Sequence, residues 1–346
     1  MSVIDVSGLT KHYGEVRAIQ GVDFTVEAGE VFGFLGPNGA GKTTTIRTML
    51  GLLNPTAGRA TVLGADSTDE PAMIDAKRSI GYLPANPAFD DGSTGREILD
   101  LHGSIKGDDR RKELLDLFEP PLDRAVREYS SGNKQKLGIV QAFMHDPELV
   151  IMDEPTSGLD PLMQQRFNEF VRAEREQGVT VFFSSHVLSE VRRVCDRVAI
   201  LRGGKLVTTE TIESLLDRSG KFVHARIAGH IESAAFDGKA VHGFERTRIE
   251  DRAEELLAAT DLESDADVVT EVRFTYTGDI NDLVADLASY SFVDLDVEEA
   301  PLEEIFMRFY GANESGDRTA SGEPSGAVPA GGEPSGAASA GGDEDA

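Results

Sequence analysis

The sequence predicts an α/β chain: a mixed-sheet core interrupted by a helical section, then a small α+β domain, then a disordered acidic tail. Three observations carry this. Gly36-Pro37-Asn38-Gly39-Ala40-Gly41-Lys42-Thr43-Thr44 has the form G-x-x-x-x-G-K-[ST]. It lies between an apolar strand-like run, Glu30–Leu35, and a segment with Ile46, Met49, Leu50 and Leu53 at helical spacing. Leu149-Val150-Ile151-Met152 is a second apolar run and ends on acids, the pattern of a strand buried on both faces of a parallel sheet. From Ala312 on, the chain is mostly Gly, Ser, Ala, Pro and acids, with Gly-Glu-Pro-Ser-Gly-Ala starting at Gly322 and again at Gly332. Such a segment has too little apolar surface to offset its chain entropy.

Taken in order, residues 3–30 read as short strands, Ile4–Val6, Ala18–Val22 and Phe24–Val26, separated by turns. Tyr13 sits beside one turn and offers a flat face on which a purine can stack. In the glycine-rich loop, small residues let the backbone curl so that its N–H groups point at phosphate oxygens, next to the positive end of a helix. Lys42 is placed to reach β- and γ-phosphates, and the Thr43 hydroxyl to ligate magnesium. Asn54-Pro55 ends the helix. Gly58–Leu63 reads as a strand, Ala72–Ser79 as a helix, and Ile80–Pro84 as a short strand entering the loop Ala85-Asn86-Pro87. Gly95–Ile105 and Asp109–Phe118 read as helices, so about 86–146 forms an inserted helical subdomain. Ser130-Ser131-Gly132 reads as an N-cap run before a helix with Leu137, Val140, Phe143 and Met144, ended by Asp146-Pro147.

Asp153 and Glu154 stand at the C-terminal end of the buried run, where ligands bind in parallel sheets. Asp153 is the expected partner of a Thr43-bound magnesium ion, and Glu154 is placed to activate water. Val179–Phe183 is another buried strand. It leads to Ser184-Ser185-His186, which puts an imidazole where it can touch a phosphate. Cys195, the single cysteine, lies in a helix over Val187–Cys195 and is expected to pack rather than react. Arg197–Leu201 and Lys205–Thr209 form a hairpin about Gly203-Gly204, and a helix over Thr211–Leu216 closes a first domain at 1–218. Residues 219–311 read as the α+β domain: strands at Phe222–Ile227, Val268–Tyr276 and Phe292–Val297, and helices at Ile280–Leu287 and Pro301–Phe309. Its histidines, His224, His230 and His242, lack metal-ligand spacing. Residues 312–346 are the tail.

This order of motifs resembles the ATP-binding subunit of an ABC transporter, over roughly residues 2–218. Gly36–Thr43 matches the family's Walker A loop and Leu149–Asp153 its Walker B strand. Glu154 falls on the catalytic carboxylate, Tyr13 on the adenine-stacking aromatic and His186 on the switch histidine. Ser157-Gly158-Leu159-Asp160 falls on the D-loop and Tyr129–Asn133 on the signature, usually Leu-Ser-Gly-Gly-Gln. The signature here is Tyr-Ser-Ser-Gly-Asn, which keeps Ser130 and Gly132 beside Ser131 and Asn133. The glutamine usual after a stretch like Ile80–Pro84 is Ala85. The resemblance implies a P-loop NTPase fold, ATP and magnesium as cofactors, and catalysis by Lys42, Glu154 and His186. It also implies a head-to-tail pair of cassettes, one giving Walker A and the other Ser130–Asn133 to each ATP. The partner is then a separate permease, with the chain peripheral on the cytoplasmic face of the membrane. Pro301-Leu302-Glu303-Glu304-Ile305-Phe306 resembles the drug-export-type branch. The alternative weighed against export is a soluble ABC protein acting on ribosomes or DNA.

Composition separates these. The chain has 61 acidic against 34 basic residues, a net charge of −27, the wrong sign for a nucleic-acid footprint. No apolar run reaches the roughly 18 residues that span a bilayer, and Met1–Asp5 shows no basic-then-apolar leader pattern. The acidic excess, with arginine dominating the bases, suits a salt-rich host, because salt screens the self-repulsion of such a surface. Thermal unfolding is expected to shift upward in molar potassium chloride. A melting temperature equal or higher at low ionic strength refutes this adaptation.

Overall fold

Val31–Leu35 is apolar on both faces, and every residue in it is buried. In the computed structural model, which describes residues 2–231, 240–258, 260 and 266–299, it lies inside a six-stranded sheet. The order is Lys205–Thr211, Arg197–Arg202, Val31–Leu35, Thr180–Ser185, Leu149–Asp153, Ile80–Leu83. All neighbours are parallel except the antiparallel hairpin strand Lys205–Thr211 at one edge. The expected α/β core is therefore present. Its parallel register brings Leu35 opposite Ser185 and Asp153 opposite Ser184, so three strands end together.

A second, antiparallel sheet has the order Val16–Glu27, Ser2–Tyr13, Ala57–Val62, Ala65–Asp66. The three short strands expected before residue 30 are in fact two twelve-residue strands. Gly8 and Gly21 have φ of 58° and 61° and lie beside register shifts in that pair. They bend the ladder as bulges without ending it. The two sheets meet at an aromatic cluster: Phe24 lies 5.4–5.9 Å, centroid to centroid, from Phe32, Phe34 and Phe182. Each such ring contributes about 1.5–3 kcal/mol through burial.

The helical subdomain contains Gly95–Lys106, Arg111–Phe118 and Ser131–Phe143. Thr94 and Glu97 make a reciprocal capping box on the first. A buried ion pair ties this section to the core: Arg110 donates to both Glu174 oxygens at 2.5 and 2.6 Å, and Glu174 is 1% exposed. Glu174 belongs to Pro161–Glu176, a sixteen-residue helix the sequence reading passed over. The signal was there, since Met163, Phe167, Phe170 and Val171 recur at helical spacing and Pro161 opens the first turn.

Lys221–Ala228, Val241–Ile249, Val269–Tyr276 and Phe292–Glu299 form a third, antiparallel sheet. Leu283 and Leu287 of helix Ile280–Leu287 join Val223, Ala225, Ile227, Val272 and Phe274 in a core of its own. Strand Val241–Ile249 was missed because it is an edge strand of charged and polar residues with no clean alternation. By its contacts the chain divides into Met1–Phe306 and Met307–Ala346. The helix expected at Pro301–Phe309, the Pro301–Phe306 phrase and the tail lie outside the described residues. No described helix is long and apolar enough to cross a membrane.

Cys195 is buried, and that burial pushes its thiol well above the usual range. His102 and His145 lie beside each other, ring centroids 6.0 Å apart, where the helical subdomain meets the Ile80 strand. Burial, helped by the charge of Lys106, pushes both imidazoles down to about 4. In the unfolded chain they protonate near 6.5. Between those two values the unfolded state binds more protons, so stability falls as pH drops from about 6.5 to about 4. His145→Leu is expected to flatten that slope in denaturant titrations at stepped pH.

Candidate functional site

The phosphate-binding loop is shaped by close backbone approaches. Gly41 has φ of 109°, and a Cβ there would stand 2.5 Å from the Ala18 carbonyl oxygen and 2.8 Å from Ile19 Cγ2. A Cβ on Gly36 would meet the Leu201 carbonyl at 2.5 Å. Gly39, with φ of 80°, meets nothing and is selected by its backbone conformation alone. The Gly36 N–H donates to the Ser185 carbonyl at 3.2 Å, anchoring the loop to the neighbouring strand end. Helix Lys42–Met49 begins at once, with a left-handed Gly41 as its N-cap.

Lys42 is 6% exposed, and its ammonium donates to the Gly36 carbonyl at 2.7 Å. It also donates to the Pro37 carbonyl at 3.3 Å, and Glu154 Oε1 lies 3.1 Å from Nζ. That contact is one of charge, without hydrogen-bond alignment. Glu154 Oε2 is 2.7 Å from His186 Nδ1. The carboxylate is thus clamped between the loop lysine and the histidine at the end of the next strand. Glu154 has φ of 51°, a left-handed conformation that costs a residue with a Cβ about 1–3 kcal/mol. The turn carries it off the strand axis, and its N–H still donates to the Ser184 carbonyl at 3.1 Å.

The Thr43 hydroxyl donates to Asp153 Oδ2 at 2.6 Å. Asp153 Oδ1 accepts from the Ser184 hydroxyl, and Asp153 is 1% exposed. A hydroxyl and a carboxylate oxygen side by side at the mouth of a phosphate loop are the hard donors that suit magnesium. A cleft of about 350 Å³ gathers Pro37, Asn38, Gly39, Gly41, Lys42, Thr43, Thr44 and Glu154 with Val16, Arg17 and Ala18 of the hairpin. Ala85 lines it too, presenting a methyl group where the resemblance leads one to expect glutamine. Beside it, burial and the charge of Asp153 raise the Tyr82 phenol above its usual range.

Other expected residues stand apart from this cleft. Tyr13, at the end of its strand, is 48% exposed, with the Lys11 ammonium 5.3 Å from the ring centroid. Ser130 and Ser131 are exposed, and Gly132 and Asn133 are half-buried. The Ser130 hydroxyl accepts from the Asn133 N–H at 3.3 Å, as an N-cap. Tyr129 is anchored by its hydroxyl to the Pro121 carbonyl. Gly132 is needed by its neighbour, since a Cβ would stand 2.6 Å from the Gly158 carbonyl. Asp160 caps helix Pro161–Glu176, its carboxylate accepting from the Met163 N–H at 3.0 Å. Sequence reasoning missed Gln135, which is 2% exposed and donates to the Pro155 carbonyl at 2.8 Å. Only its place on the apolar side of the Ser131–Phe143 helix hinted at it. Gly41→Ala is expected to lower ATP affinity at least about tenfold by forcing the loop off Ala18, a cost of more than 1.4 kcal/mol, readable by calorimetry.

The comparisons with known proteins agree with this geometry. Residues 19–157 match the family model described as ABC transporter. The bacitracin transport ATP-binding protein of Bacillus licheniformis is 35% identical, over 66% of this chain and 76% of that protein. The daunorubicin/doxorubicin resistance ATP-binding protein of Streptomyces peucetius is 38% identical, over 64% of this chain and 68% of that one. A solved ATP-binding subunit of an ABC transporter superposes with a TM-score of 0.57 at 32% identity, covering 62% of this chain and 91% of its own. The chain therefore belongs to the ATP-hydrolysing, ATP-binding subunits of ABC transporters, in their drug-export-type branch.

Proposed function

We propose that this subunit energises export through a separate membrane permease, working as a head-to-tail pair on the cytoplasmic face of the membrane. The observation that carries the ATPase part is the Glu154 carboxylate, held between Lys42 at 3.1 Å and His186 at 2.7 Å. Phosphoryl transfer asks a protein mainly for positioning and charge neutralisation. The loop amides and Lys42 bind the β- and γ-phosphates. Glu154 orients the attacking water and accepts its proton, and His186 holds the γ-phosphate and fixes Glu154. Thr43 and Asp153 would hold a magnesium ion, whose charge offsets that of the phosphates. Tyr13 stacks on the adenine. Ser130, Ser131, Gly132 and Asn133 of one copy, with Asp160 nearby, face the triphosphate of the other.

Export and the permease are supported by the two drug-related relatives, one named for bacitracin transport and one for daunorubicin/doxorubicin resistance. The net charge of −27 speaks against the ribosome or DNA alternative. We assign 1–218 to the ATP-binding domain, 219–311 to an accessory domain and 312–346 to a solvating tail. Glu154→Gln is expected to lower ATP turnover by two orders of magnitude or more. The same variant should still pair on ATP, seen as a doubled mass in light scattering. Undiminished phosphate release from that variant refutes the role given to Glu154.

A further inference from the structure

Glu190 lies four residues after His186, in the first turn of helix Leu188–Val194. The helix sits tightly on the central strand: a Cβ on Gly33 would stand 2.6 Å from Val191 Cγ1. One Glu190 oxygen accepts from the Thr156 hydroxyl at 2.6 Å, and the other accepts from the Ser185 hydroxyl at 2.8 Å. Ser185 is fully buried and immediately precedes His186. Thr156 is 4% exposed and follows Glu154 by two residues. The Ser185 hydroxyl also accepts from the Val187 N–H at 2.9 Å, so the backbone is gripped on both sides of the histidine. A single carboxylate thus joins the segment bearing Glu154 to the segment bearing His186, while the two side chains meet at 2.7 Å. Hydrogen bonds to an ionised acceptor are about twice as strong as neutral ones, so this bracket is stiff.

We propose that Glu190 is a positioning residue for hydrolysis, fixing the separation of Ser185 and Thr156 and thereby the His186–Glu154 contact. This rests on the roles given above to Glu154 and His186. The test compares full-length His186→Ala, Glu190→Ala and the double variant in steady-state ATP hydrolysis. It also reads the ring ¹⁵N signals of His186 in histidine-labelled full-length protein. Glu190→Ala is expected to lower kcat on the order of tenfold with KM for ATP unchanged. The double variant should be no slower than His186→Ala, and the His186 Nδ1 signal should move toward that of a free imidazole. An additive double variant, an unchanged kcat in folded Glu190→Ala, or an unmoved Nδ1 signal overturns the proposal. If His186→Ala hydrolyses at full rate, the role given to His186 fails instead, and the ¹⁵N signal alone decides whether Glu190 positions it. Should Glu190→Ala not fold, Thr156→Val and Ser185→Ala each remove one arm of the bracket and carry the same expectations.

Discussion

The site depends on the register of three parallel strands. Val31–Leu35, Thr180–Ser185 and Leu149–Asp153 pair so that they end within one residue of one another, Leu35 beside Ser185 and Asp153 beside Ser184. Each strand then releases its chain into a different piece of machinery: the phosphate loop, the histidine and the acid pair. A slip of one residue would turn Asp153 to the other face of the sheet and separate it from Thr43. That register is in turn specified by burial on both faces, with Phe32, Phe34 and Phe182 pointing into the aromatic cluster under the hairpin. On the opposite face, Gly33 leaves room for Val191 and Cys195. Core packing and catalytic alignment are therefore one constraint, met by a few large rings and one missing side chain.

Local strain concentrates where the machinery begins. Gly39 and Gly41 carry positive φ at no cost, but Glu154 carries it with a full side chain. Its clamp by Lys42 and His186, its N–H bond to Ser184 and the Gln135 contact to the following carbonyl together hold that conformation. The acid proposed to orient water is thus held from four directions, which suits a reaction that gains more from preorganisation than from covalent chemistry.

Much of this was legible in the sequence, for a physical reason. Phosphate loops and buried strands ending in acids are local patterns. The backbone at Gly36 and Gly41 must pass a neighbour's carbonyl, and only glycine allows it, so the requirement is written into the chain itself. Thr43 and Asp153 could be paired across 110 positions because each motif announces its own end of the contact. Gln135 and Glu190 could not be read, because their value lies in what another element brings to them. A glutamine in a helix and an acid in a first turn look like ordinary solvated or capping residues until Pro155, Thr156 and Ser185 are in place. The two long hairpin strands were misread for the opposite reason. Gly8, just past the expected strand end at Val6, carries a local turn signal, which pairing with the partner strand turned into a bulge.

The same logic connects the signature run to Glu154. In the proposed pair, the neighbouring nucleotide faces Ser130–Asn133, far along the chain from Glu154. Yet Gly132 lies against the Gly158 carbonyl in the stretch leading to Asp160. One helical turn beyond Ser131, Gln135 reaches back to the carbonyls of Glu154 and Pro155, at 3.4 and 2.8 Å. A rotation of this helix cannot leave the backbone of the acid undisturbed without breaking a buried hydrogen bond, at about 1–3 kcal/mol. Within one subunit, then, the signature surface and the geometry at Glu154 are joined by a short path.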